Sequence, residues 1–250
     1  MEALLPRWLI CRTRPFGKYS AFVLDECYNK FTFSTKRVLI MKIRFLVMTL
    51  FMIAALAGCG GGDVVVTVVP PPIVKQIISD AALDGDIEVG TSVTTITQGV
   101  TQSVFVGIDP VTLTETRAFL DFSLASIPLN AIIDSATLDI VVSSIAPSFA
   151  SLPVLVDLVS YPQPLLAGDF NRALFATTSI VPPIISADVG NHVRVNVTGL
   201  MQEAQSRGLS RFQVRLLKGA GGTSTGLVEI NDTTGPSRAS LAPQLTVAYF

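Results

Sequence analysis

Residues 222–226, Gly-Thr-Ser-Thr-Gly, have the G-x-S-x-G spacing of a nucleophile elbow, in which a strained strand-to-helix turn presents a serine to a histidine base. That chemistry needs a helix after the turn and a histidine later in the chain. Here a β-branched run follows, and the single histidine, His192, lies upstream. The segment therefore reads as a glycine-rich hairpin turn. One imidazole without cysteine or a second histidine makes no zinc site of the usual composition, so His192 reads as a solvated residue on a polar strand face. Asp84, Asp86 and Glu88 can offer oxygen ligands to Ca²⁺, with Asn231 and Asp232 as contributors if the fold brings them close. The competing reading is a plain turn leading into a strand. A glycosidase would need two carboxylates facing each other across a cleft. Glu115, Asp121, Asp139, Glu203 and Glu229 are candidates for that pair, yet none sits in a recognisable context.

A binding surface is the alternative to a reacting centre. Arg194 and Asn196 alternate with Val193, Val195 and Val197, while Arg211, Gln213 and Arg215 alternate with Phe212, Val214 and Leu216. If the two strands are neighbours, their polar sides merge into one face. Such a face suits a uronic-acid polysaccharide, because guanidinium forks pair with carboxylates. Phe119 is the one clear aromatic on a polar strand face and would add stacking.

These residues need strands to hold them. Residues 117–142 carry the strongest pattern: Ala118, Leu120, Phe122 and Leu124 alternate with polar neighbours, as do Ala136, Leu138, Ile140 and Val142. Ile127-Pro128-Leu129-Asn130 breaks the run, since proline cannot donate to a strand ladder. Asp134 and Ser135 mark a phase change or bulge. Further short strands are expected over residues 93–97, 104–108, 152–161, 192–197, 211–216, 227–230 and 245–250, divided by Pro- and Gly-containing turns. Thr198 can N-cap a short helix running to Arg207 and ended by Gly208, docked by Leu200, Met201 and Ala204. This is an all-β pattern: a β-sandwich with one short helix.

The same blocks carry a resemblance. Asp84-Gly85-Asp86-Ile87, then Val106-Gly107-Ile108-Asp109, then residues 117–138 stand in order before Val195-Asn196-Val197-Thr198-Gly199-Leu200 and Pro243-Gln244-Leu245-Thr246-Val247-Ala248-Tyr249. Over residues 84–250 the chain resembles the DNRLRE-type domain, a jelly-roll sandwich related to a carbohydrate-binding module of disaggregatase-like proteins. Asn196 stands where that family usually has Asp, and the Trp that usually follows is missing. The resemblance implies a mostly non-catalytic structural or binding module of secreted or cell-surface proteins.

The N-terminal part sets an address. Met41-Lys42-Ile43-Arg44 is a positive start, residues 45–56 are apolar, and Leu56-Ala57-Gly58-Cys59 closes the segment with small residues. This twelve-residue stretch, apolar but for Thr49, is shorter than the roughly twenty residues needed to span a bilayer, so it reads as a signal peptide. Its end looks like a bacterial lipobox, which makes Cys59 the lipid-bearing first residue of the exported chain. Gly60 at the next position favours the outer membrane in a Gram-negative organism. Residues 1–40 read as an over-extended gene start, 41–58 as the signal peptide, 59–83 as a Gly- and Pro-containing tether, and 84–250 as the sandwich. Cys11 and Cys27 fall before the cut, so the exported domain has no disulfide and holds by burial alone. Residues 60–250 carry nine Lys/Arg against sixteen Asp/Glu. That acidity argues against nucleic acid and anionic membrane surfaces as partners. The expected protein is thus a cell-surface lipoprotein without a bound cofactor unless Ca²⁺ is taken up. Its module would be structural, adhesive or polysaccharide-binding, and the alternatives are a polysaccharide hydrolase or a subunit of a surface assembly.

Overall fold

A computed structural model of the chain describes residues 70–99 and 101–250. Within them, period-two alternation has become antiparallel strand almost throughout. The strands are β1 (Ile73–Ile78), β2 (Gly85–Val89), β3 (Thr94–Gln98), β4 (Ser103–Ile108), β5 (Glu115–Ser123), β6 (Ile133–Ala146), β7 (Ser151–Leu152) and β8 (Val154–Val159). They continue with β9 (Ala176–Ser179), β10 (Ile184–Ile185), β11 (His192–Asn196), β12 (Arg211–Lys218), β13 (Gly226–Asn231) and β14 (Gln244–Tyr249). Helix α1 (Thr198–Ser206) and the short α2 (Arg238–Leu241) complete the regular structure, with a 3₁₀ turn at Ala167–Asn171 and another at Ser186–Asp188.

Twelve of these strands form one curled antiparallel sheet that packs against itself as a β-sandwich, and β7 pairs separately with β10. The long strand β6 makes the curl possible. Its first half pairs with β14 and β11 to give one layer with β1, and its second half pairs with β13, which leads through β4 to β5. The other layer is β3-β2-β5-β12-β8-β9. The register explains the change of phase expected near Asp134. Ala248 faces Ser135 while Tyr249 faces Ile133, so Asp134 is passed over as a bulge.

Two bodies of apolar packing result. Between the layers lie Leu120, Phe122, Phe212, Val214, Leu138, Ile140, Leu245 and Val247, the inward residues of their strands, all fully buried. Leu200, Met201 and Ala204 dock α1 on this core, as the spacing predicts. A second core lies on the outer face of β2, β5 and β8: Ile87, Phe119 and Val159, roofed by Tyr161, Leu165 and Phe170 from the connection after β8. Phe119 and Tyr161 meet edge to face with centroids 5.4 Å apart.

Three expectations change. Residues 222–226 are not a hairpin, because β12 pairs with β5 and β8 whereas β13 pairs with β4 and β6. They cross between layers, and Gly222, at φ +66°, lies so close to β7 that a Cβ would strike the Ser151 carbonyl oxygen. Thr198 does not cap α1: its hydroxyl accepts the Ala136 amide at 2.9 Å, and the cap position is Val197. The sandwich also begins earlier than residue 84, since Ile73–Ile78 pairs with β14 along its full length.

Candidate functional site

The most accessible concentration of chemistry lies on the outer face of the β1-β14-β6-β11 layer. Strand register builds it as two rows. Gln76, Thr246, Thr137 and Asn196 stand side by side across the four strands, and Gln244, Asp139 and Arg194 form the next row. All are outward members of alternating strands, so their neighbours Leu138, Val195, Leu245 and Val247 are buried beneath them. Ala239 and Ser240 of α2 raise one wall, leaving a trough of about 390 Å³.

Asp139 is the hinge of the site. Its Oδ1 lies 2.8 Å from His192 Nδ1, and its Oδ2 accepts Arg194 Nε at 3.0 Å. Both carboxylate oxygens are thereby engaged, and the two side chains stay exposed. The Arg194 side chain is 72% exposed and His192 is 48% exposed. Neither Nη group of Arg194 has a partner among the described residues. The trough therefore offers a guanidinium edge, an imidazole, two carboxamides and two threonine hydroxyls. Such a set hydrogen-bonds hydroxyl and carboxylate groups. The Ser240 hydroxyl on its wall donates to the Ser237 carbonyl at 3.0 Å.

The remaining face residues expected from sequence are brought elsewhere. Arg211, Gln213, Arg215 and Phe119 belong to the opposite layer, so they share no surface with Arg194. They do point away from the main core, as alternation requires. The connection over residues 160–175 then covers Phe119, Gln213 and Arg215. Arg215 is bound to Asp157 at 2.7 Å and donates to the carbonyls of Phe170 and Arg172, both at 2.9 Å. Gln213 lies against Tyr161 and Asp121, and Phe119 is fully buried. Arg211 pairs with Asp121 and Asp80. Gln213 and Arg215 thus clamp the covering connection, while Arg211, its side chain 32% exposed, is held by those two acids. Asn196 borders the trough, but its Oδ1 accepts the Thr198 amide at 3.0 Å and so serves the start of α1.

The acids are divided as well. Glu115 pairs with Arg117, Glu203 with Arg207, and Glu229 accepts the hydroxyls of Ser103 and Ser144. No two of them oppose each other across the trough. Asp86 and Glu88 line a separate hollow of about 250 Å³ beside Thr97 and Asp109. Asp86 accepts the Phe105 amide at 3.2 Å, Glu88 accepts the Thr114 hydroxyl, and burial raises the Asp86 carboxyl to about 6. Asp84 does not join them. It is turned toward Asp232, and burial first, then the Asp232 charge, raises it to about 8. Among the described residues no three His, Cys, Asp or Glu side chains converge as a metal-binding group. Cys59 and residues 1–69 lie outside the described part of the chain.

No protein-family profile and no curated protein matches the chain. Among solved structures it is similar to a chain described as the structure of infectious bursal disease virus Gx strain, with a TM-score of 0.20 and 15% identity. That alignment takes in 71% of this chain and 36% of the viral one. Among the described residues no helix is long and apolar enough to cross a membrane.

Proposed function

We propose that the chain is an exported, lipid-anchored cell-surface module whose trough on the β1-β14-β6-β11 layer binds a hydrophilic, carboxylate-bearing glycan without turning it over. The observation that carries this reading is the pair of polar rows across four strands, with Arg194 held by Asp139 through Nε alone. A guanidinium fixed at one edge presents its two remaining nitrogens as a fork for a sugar carboxylate. Gln76, Gln244, Thr137 and Thr246 supply the donors and acceptors for ring hydroxyls. No Phe, Tyr or Trp lines the trough, so affinity would come from many polar contacts along a chain rather than from stacking. The lipobox-like Leu-Ala-Gly-Cys and the acidic remainder of the chain support the reading of a module outside the cell on a lipid tether.

A glycan array probed with the purified full chain tests this. Retention on uronic-acid polysaccharides, falling at least tenfold in Arg194→Ala and in Gln244→Ala, is the expected result. Equal retention by wild type and both variants would remove the trough from consideration, and absence of any acidic-glycan binding would remove the ligand class.

A further inference from the structure

Strand β1 ends one side of the β1-β14-β6-β11 layer, and among the described residues it pairs with β14 alone. The Ser79 amide donates to the Pro243 carbonyl, so these two form a hydrogen-bonded pair of that ladder. Such pairs alternate in an antiparallel ladder, and Ile73, Lys75 and Ile77 therefore turn their backbone groups toward β14. Val74, Gln76 and Ile78 turn theirs to the open side. They present three N–H and three C=O groups with no backbone partner among the described residues. Their side chains share the outer face, where Val74 is 58% and Ile78 is 38% exposed on either side of Gln76. Edges are commonly protected by charge, by bulges or by shortness. Here β11 carries His192 and Arg194, β9 has four residues, and β3 has a single apolar residue, Ile96. β1 pairs without a bulge, and its one charge, Lys75, lies on the face opposite Val74 and Ile78. Nor can the chain turn straight back onto this edge. Pro70, Pro71 and Pro72 precede it, and proline fixes φ near −65° where two-residue hairpin turns need positive φ.

We propose that the chain forms a two-fold dimer in which β1 pairs antiparallel with β1 of a second copy, Gln76 facing Gln76. The open-side groups choose this register. Gln76 exchanges two backbone bonds with its counterpart, and Val74 exchanges two with Ile78 of the other copy on each side of the axis. Each exposed Val74 thereby meets an exposed Ile78 on the same face, an apolar cross-strand pair formed twice. Centring the pairing on Lys75 would set like charges opposite each other. Centring it on Ile77 would set Val74 against Asp80 rather than against an apolar side chain. The ladder is bounded at both ends. Pro72 has no amide hydrogen, and the Asp80 amide already donates to the Asp121 carbonyl at 2.8 Å. A two-fold pairing uses the same edge on both copies, so it closes as a dimer and does not propagate. The axis stands perpendicular to the sheet, which keeps both outer faces on one side. The row Asn196, Thr137, Thr246, Gln76 then runs on into the same row reversed, giving one polar face eight strands wide that carries both troughs. The pairing itself does not depend on what the troughs hold.

The test is sedimentation equilibrium of the purified full chain from about 10 μM to about 1 mM, the range in which an interface this small dissociates. Wild type should pass from monomer to dimer and form nothing larger. Val74→Lys and Ile78→Glu should each weaken dimerisation at least tenfold. The double variant should regain most of that loss, because each new lysine meets a new glutamate on the other copy and not on its own. Gln76→Pro removes an amide hydrogen that faces the open edge rather than β14, so it should stay monomeric with wild-type circular dichroism. A wild-type chain that is monomeric throughout, or that grows beyond a dimer, would overturn the proposal. A dimer that survives Gln76→Pro or either single variant would place the interface elsewhere and overturn it too. A double variant no better than the single ones would refute the register.

Discussion

Single residues in this protein are valued by what covers them. Arg194 and Arg215 occupy equivalent outward positions on their strands, but one is open to water and the other is sealed beneath the connection after β8. Arg194→Ala should therefore cost less than about 1 kcal/mol of stability, the range of an exposed pair. Arg215→Ala should cost roughly 3–5 kcal/mol, because it strands Asp157 as a buried charge and frees two carbonyls. Urea denaturation of the two variants measures the contrast, and similar losses would refute it. Asp84, Asp86 and Asp232 make a prediction with the opposite sign to most acids. Burial raises them to about 8, 6 and 6, whereas the unfolded carboxyls titrate near 4. Between those values the folded chain holds more protons than the unfolded one. Stability should consequently fall as pH rises from about 4 to 8 and level off above that. Asp84→Asn should flatten the upper part of the decline, from pH 6 to 8, in urea denaturation curves. An unaltered slope would show that Asp84 is not the group responsible.

Among the elements, α1 shows how a strand end starts a helix without the expected cap. Val197 occupies the cap position and has no side-chain oxygen, so Asn196 on β11 reaches over to the Thr198 amide. Asn196→Ala should cost about 1 kcal/mol, as loss of a capping acceptor does, and Asn196→Asp should cost little because a carboxylate accepts the same bond. Thermal unfolding that ranks the two variants equally would contradict this. The strands themselves were largely legible, down to the bulge at Asp134, because period two reports directly which side of a strand is apolar. Periodicity does not report what lies over the other side. Phe119, Gln213 and Arg215 were correctly outward yet not exposed, since residues 160–175 have no regular repeat to announce that they fold back as a roof. Strand β1 was hard to find for a related reason. It is mostly exposed at an edge, so burial imposes no alternation on Ile73–Ile78. The trough and the Asp84–Asp232 pair depend on register between strands distant in sequence, and no local pattern encodes that.

For the whole molecule, the decisive relation is between the sandwich and the lipid that is proposed to hold it. Because β1 is already part of the sandwich, a tether after the proposed anchor Cys59 would be residues 60–72 rather than a stretch reaching to residue 83. At up to about 3.5 Å per residue, it can lift the module no more than roughly 45–50 Å from its anchor. Residues 60–250 have seven more acidic than basic residues, so an anionic leaflet would repel them and supply no second hold. Several acyl chains on Cys59 would then be the whole of its membrane affinity, each buried methylene contributing about 0.8 kcal/mol. Cys59→Ala should move the exported protein from the membrane pellet to the soluble fraction, while its strand signal in circular dichroism stays unchanged. Retention of the variant in the pellet at high salt would mean that another surface grips the envelope. The exposed β1 edge, with Ile73 and Val74 uncovered, would then be the first place to look for a protein partner.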